Sequence, residues 1–226
     1  MSLVIDRNNE LKELREQVQQ PAFLRLMAQL ISYLFHPLFI PVYLSWVLLK
    51  TKPYFFSSLN AMDQRMYIPR FAAMYVLFPL ASVLLLRALK FVSSIQLKTQ
   101  RERIIPYVVC MIYYWWMWYV LRTQNIFPSE AVVLSLSIFL ASVGGLLANI
   151  YMKVSMHAIG AAIMCSFITL LAFTAGISAG VYLAASLLLA GLVCTCRFIA
   201  SDHTAIEVYG GFLIGLLCFV IAVLVS

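Results

Sequence analysis

Apolar residues run through this chain in blocks separated by short polar connections, and no block shows the apolar–polar alternation of a strand. A helix needs about 20 such residues to cross a bilayer core, where every backbone amide must find its partner within the segment. Blocks of this kind fall at Leu26–Leu49, Tyr67–Phe91, Ile104–Leu121, Glu130–Met152, His157–Ala175, Val181–Ile199 and Thr204–Val225. The pattern predicts an all-α integral membrane protein, a polytopic helical bundle of about seven spans.

The first residues read differently. Asp6, Arg7, Glu10, Lys12, Glu13, Arg15 and Glu16 interleave with Leu3, Leu11, Leu14 and Val18, which predicts an amphipathic surface helix over residues 1–21, ended by Pro21. Mixed charge there replaces the basic-then-apolar order of a secretory signal. Residues 22–226 read as one continuous membrane domain, its longest polar connection being Lys50–Arg65. Composition agrees: hydrophobic residues make up 63% of the chain, charged residues 11%, and mean hydropathy is +0.93, which excludes a water-soluble globular domain. The net charge of +7 points to anionic lipid headgroups as partners and not to nucleic acid, because no separate basic module exists. Cys110, Cys165, Cys194, Cys196 and Cys218 all lie in apolar blocks and read as buried filler.

Histidine and paired charge are costly beside lipid, so their placement is informative. Ser155-Met156-His157 opens one expected span, and Arg197, His203 and Glu207 flank the start of the last. Such a topology puts the connections Phe91–Arg103, Lys153–His157 and Ile199–His203 on one side of the membrane. Lys98, Arg101, Arg103, Lys153, Ser155, His157, Arg197, His203 and Glu207 then share a face. His36, between Phe35 and Pro37, reads as a structural residue bonding a carbonyl freed by a proline kink. The run Tyr113, Tyr114, Trp115, Trp116, Trp118 and Tyr119 reads as an interfacial anchor opposite that face. Gly144-Gly145 and Gly211-x3-Gly215 are expected to permit close helix contact.

The order Lys98…Pro106, Ser155-Met156-His157 and Arg197-x5-His203-x3-Glu207 resembles the signature motifs of the type 2 phosphatidic acid phosphatase superfamily, K-x6-R-P, P-S-G-H and S-R-x5-H-x3-D. The likeness extends from about Lys98 to Glu207, with the third motif its most specific part. Two spans between the first and second motifs is the arrangement of the glucose-6-phosphatase branch. The chain departs from the pattern at Ile105, where the family has arginine, at Val154 and Met156 for proline and glycine, at Cys196 for serine, and at Glu207 for aspartate. The resemblance implies a phosphatase domain acting on a membrane lipid substrate, either a lipid phosphate or a polyprenyl diphosphate, without cofactor.

The residues suit that chemistry. A neutral histidine can attack phosphorus and form a phosphoenzyme, dividing one displacement into two. His203 and Glu207 are four apart, so they share a helix face, and the carboxylate can fix the ring tautomer. His157 is the expected general acid and base. Arg197 can grip two phosphate oxygens and Lys98 supplies a point charge, with Ser155 and helix-start amides as further donors. Arg103 is the candidate for the missing motif arginine; contact with lipid headgroups is the other reading of that basic loop. Too few carboxylates, Glu102, Asp202 and Glu207, share the face to hold a divalent metal.

The excess of Lys and Arg on the site face places it towards the cytoplasm, in a bacterial inner membrane. A non-catalytic member of the superfamily, binding or moving lipid phosphates, fits the same residues, and Ile105 is its best argument. A transporter would instead show ionisable groups at mid-span and broken helices in paired halves.

Overall fold

The computed structural model of the chain describes residues 2–5, 11–14, 20–91, 100–175, 179–200 and 203–226. Its helices are α1 (Ala22–Leu34), α2 (Ile40–Thr51), α3 (Ala61–Ala72), α4 (Phe78–Ala88), α5 (Gln100–Gln124), α6 (Ser129–Tyr151), α7 (Met156–Ala175), α8 (Ala179–Ile199) and α9 (Ala205–Val225). α3 and α4 continue into one 28-residue helix through a π turn at Ala73–Leu77. Among the described residues, six helices are long and apolar enough to cross a bilayer, so the protein is an all-α polytopic membrane bundle.

The expected span Leu26–Leu49 is not one helix. It divides into α1, of 13 residues, and α2, of 12, each short of the length that crosses a bilayer. Pro37 is the cause: it lacks an amide and disfavours helical backbone at His36, the residue before it. The chain turns there, with the His36 amide donating to Tyr33 O at 3.3 Å and the Phe39 amide to His36 O at 2.8 Å. Pro41 sits in the first turn of α2, where its missing amide has no intrahelical partner to lose. α1 packs along α8, and α2 against α3, α6 and α7.

The amphipathic helix expected over residues 1–21 is likewise not what the described part of that segment forms. Ser2–Ile5 and Leu11–Leu14 pair as two antiparallel strands, with Leu3 opposite Glu13 and Val4 opposite Lys12. The run Leu3-Val4-Ile5 includes two β-branched residues, which favour extended backbone.

α6 and α7 form the centre: 56% and 61% of their most apolar windows are buried, against 17–33% in the other spans. α7 and α9 approach closely through glycine. α9 turns Gly211, Gly215 and Ala222 inward and Leu213, Leu217 and Leu224 outward, small residues to helix and large ones to lipid. A Cβ on Gly215 would lie 2.5 Å from the Ile159 carbonyl oxygen, and one on Gly211 would lie 2.7 Å from that of Ser155. Both neighbours are backbone and cannot swing aside. Gly144 of α6 faces α9 with side chains as its neighbours: a Cβ there would lie 3.0 Å from Ile214 Cγ2 and 3.3 Å from Cys218 Sγ.

The aromatic run of α5 is divided between surroundings. Trp115, Trp116 and Tyr119 are exposed, whereas Tyr114 is buried against Tyr75 and the Tyr113 hydroxyl bonds that of Ser82 at 2.9 Å. Only the exposed part suits the anchoring expected from sequence.

Gly215→Ala and Gly211→Ala are expected to destabilise the detergent-solubilised protein by about 1–3 kcal/mol each, as overpacking does. Gly191→Ala, which meets nothing within 4 Å, should not. Unfolding midpoints compared across the three variants test this, and equal stability would mean that α7 and α9 do not touch through these glycines.

Candidate functional site

The first turns of α5, α7 and α9 and the last turns of α1 and α8 bring polar residues to one end of the bundle. The link Met152–Ser155 between α6 and α7 is held from two sides: Arg103, in the first turn of α5, donates from Nη1 to Val154 O at 3.3 Å, and the Ser155 amide donates to Glu207 O, in the first turn of α9, at 3.0 Å. The Ser155 carbonyl accepts from the Ile159 amide at 3.1 Å and so starts α7. Its hydroxyl is fully buried and has no hydrogen-bond partner among the described residues.

Thr204 caps α9. Its hydroxyl accepts the Glu207 amide at 3.3 Å, and Glu207 Oε2 accepts the Thr204 amide at 2.9 Å, a reciprocal capping box. The same Oε2 lies 3.1 Å from His203 Nδ1. A carboxylate accepts, so Nδ1 carries the proton and the lone pair of the neutral ring falls on Nε2. Glutamate suits this double task because the capping box uses the residue at this third helical position.

His157, in the first turn of α7, places Nε2 3.0 Å from Ser32 O. A carbonyl oxygen cannot donate, so the ring carries its proton on Nε2 and its lone pair on Nδ1. Arg197, near the C-terminal end of α8 and 8% exposed, donates from Nη1 to Ser32 Oγ at 3.1 Å. Ser32 itself is buried in the last turns of α1.

His36 has partners other than the one expected of it. Its ring meets that of His157 edge to face, centroids 5.3 Å apart. Instead of bonding a freed carbonyl, it accepts the Leu38 amide on Nδ1 at 3.3 Å. The freed carbonyl is that of Ser32: the His36 amide turns to Tyr33 O, and His157 takes the oxygen left behind. Pro37 was the available signal, since a chain break between two helices exposes backbone acceptors.

Of the residues expected to share a face, Arg103, Ser155, His157, Arg197, His203 and Glu207 gather at this end, while Lys98 lies outside the described residues. Ile105, beside Pro106, is exposed at 41%, and Arg103, two residues earlier, makes the contact with the Val154 carbonyl. The charge of Arg197 acts on all three histidine rings. A cavity of about 270 Å³ lined by Tyr67, Met74, Phe78, Trp116 and Phe127 lies between the α3–α4 helix and α5 and includes none of these residues.

Chemically, the arrangement offers one imidazole with a fixed lone pair on Nε2, a second with a fixed lone pair on Nδ1, two guanidinium groups and a buried hydroxyl. Such a set has the donors that a tetrahedral oxyanion can take. Comparison of the chain with protein families, curated proteins and solved structures gives no match.

Burial holds His203 below the ordinary histidine value of about 6.5, Arg197 lowers it further, and the bond and charge of Glu207 act in the opposite sense. A lowered value means that the folded protein binds fewer protons than the unfolded chain, so this ring subtracts stability as pH falls below about 6.5 and not above it. Ring titration by NMR should find the His203 midpoint below the ordinary histidine value, moved up in Arg197→Gln and down in Glu207→Gln. Shifts of the opposite sign would remove these two groups from the surroundings of the ring.

Proposed function

We propose that the protein is a metal-independent membrane phosphatase, a diverged member of the type 2 phosphatidic acid phosphatase superfamily, that hydrolyses a lipid phosphate or isoprenoid diphosphate through a phosphohistidine. The observation that carries the reading is the His203–Glu207 bond, which sets the lone pair of a buried imidazole on Nε2 beside the Arg197 charge. The departures from the family's motifs are accommodated: Glu207 does the orienting work of the aspartate, and Arg103 stands in for the arginine that Ile105 replaces.

In the first half-reaction His203 Nε2 bonds to phosphorus as the bond to the leaving oxygen breaks. The proton carried by a phosphate monoanion passes through His157 Nδ1 to that oxygen, and the lipid alcohol or lower phosphate departs. In the second, His157 Nδ1 takes a proton from water, whose oxygen attacks phosphorus; the bond from phosphorus to His203 breaks with its electron pair returning to Nε2, and the phosphate departs as the monoanion with the proton from His157. Positioned proton transfer of this kind contributes about 10²–10⁴ in rate. Negative charge on the equatorial oxygens is met by Arg197, Arg103 and the Ser155 hydroxyl, with Lys98 as a further cation. The substrate tail stays in the bilayer. The balance of Lys and Arg favours a cytoplasm-facing site in a bacterial inner membrane, and anionic headgroups are the natural surface partners.

Phosphate release by purified protein against a panel of lipid phosphates tests the reading. Activity should resist EDTA, and rapid quenching with labelled substrate should trap acid-labile phosphohistidine that is lost in His203→Ala. A phosphoenzyme persisting in that variant removes His203 from the nucleophile's role. No turnover on any lipid phosphate, with binding retained, replaces the enzyme by a lipid-phosphate binding protein.

Arg103→Ala should lower kcat/KM by at least about 10²-fold, or about 2.7 kcal/mol of transition-state stabilisation. Arg101→Ala, about 200° around the helix, should do far less. Equal small effects would assign the basic loop to headgroup contact.

A further inference from the structure

The break between α1 and α2 reaches into the site through three contacts that none of the signature motifs contains. Ser32 O accepts His157 Nε2 at 3.0 Å, Ser32 Oγ accepts Arg197 Nη1 at 3.1 Å, and the His36 ring packs edge to face on the His157 ring. Each contact fixes one degree of freedom. The carbonyl decides which nitrogen of His157 carries the proton, the hydroxyl restrains the Arg197 guanidinium, and the second ring stops the first from rotating about its side chain. An imidazole held by one bond alone can still turn and exchange tautomers.

We infer that Ser32 and His36 are positioning residues of the phosphoryl-transfer site, which set His157 to exchange protons through Nδ1 alone and hold Arg197 for the phosphate. The inference rests on the reading given under Proposed function. Its physical source is Pro37. In an unbroken helix the Ser32 carbonyl would take the His36 amide four residues on. Here that amide turns to Tyr33, and His157 receives an acceptor of fixed position. The amide of Leu38 plays the matching part for His36, holding its lone pair on Nδ1 and its proton on Nε2. Thus a proline in one element determines the protonation pattern of histidines in two.

The groups that face His157 come from several elements: Arg197 of α8, Ser32 of α1, His36 of the break, and His203 before α9. Positioning therefore has a readout apart from turnover. With only three histidines in the chain, each ring signal in a ¹⁵N-histidine-labelled sample is assigned by deleting its own residue. Long-range proton–nitrogen correlation of the full chain in lipid nanodiscs at pH 8 should show His157 protonated on Nε2 with Nδ1 bare. In His36→Ala the same ring should show averaged nitrogen shifts as both tautomers become populated. His157 protonated on Nδ1 in the wild type, or one unchanged tautomer in His36→Ala, overturns the inference, and neither result depends on a substrate.

On the substrate identified by the lipid-phosphate panel, His36→Ala should lower kcat about tenfold with KM nearly constant, and His36→Phe, which restores an aromatic edge, should recover most of it. Ser32→Ala should lower kcat/KM about tenfold, with recovery in Ser32→Thr. Equal losses in Ser32→Ala and Ser32→Thr, or a loss confined to KM in His36→Ala, would show that the break only packs against the site. A wild type with the expected tautomer and no turnover would discard the phosphatase reading and, with it, this role for Ser32 and His36.

Discussion

Everything at the polar end of the bundle hangs on the bond between the Ser155 amide and the Glu207 carbonyl. It joins the starts of two membrane helices backbone to backbone, a distance that side chains on α9 would forbid. Gly211 and Gly215 remove those side chains, and the first turns of α7 and α9 come into register. His157 belongs to one of these turns, while Glu207, which holds His203, belongs to the other. Helix packing in lipid lacks a hydrophobic driving force between helices, so close backbone approach and hydrogen bonds carry the specificity that burial supplies in water. The glycines therefore help to set the geometry of the polar end.

The long helices were legible because lipid imposes a length. A run of apolar residues with no water-exposed face has few alternatives to a span, and the six long helices overlap runs found in the sequence. Legibility failed where the run was long enough but interrupted. Leu26–Leu49 has the composition of a span, and hydropathy averages over Pro37 as if it were one more residue. Its effect is local and geometric: it removes an amide and bends its predecessor. The strands at Ser2–Ile5 and Leu11–Leu14 escaped for a related reason, since the spacing of so few apolar residues fits a helical face as well as a pleat.

Within the site, the motif residues could be gathered from spacing and topology because charged and hydrogen-bonding side chains announce themselves near lipid. Ser32 could not. Its contribution to His157 is a main-chain oxygen, which every residue possesses, and only the broken helix makes it available. His36 was visible but was assigned to its own helix, as a side chain repairing a kink. The structure reverses that assignment: the kink provides an acceptor, and the histidine that uses it comes from α7. Position 105 shows a similar displacement. Alignment by residue order asks for an arginine beside Pro106, whereas the helix presents Arg103, two residues before that position, to the link before α7.

Glu207 holds two donors with one oxygen, the Thr204 amide that begins α9 and the ring of His203. Helix nucleation and imidazole charge thereby become linked equilibria. Any ligand that favours the imidazolium form of His203 strengthens the carboxylate contact and with it the cap, and by reciprocity a firmer first turn of α9 raises the affinity for that ligand. Occupancy of the site should accordingly be felt as order at the head of the last helix, a coupling between anion and backbone that needs no moving domain.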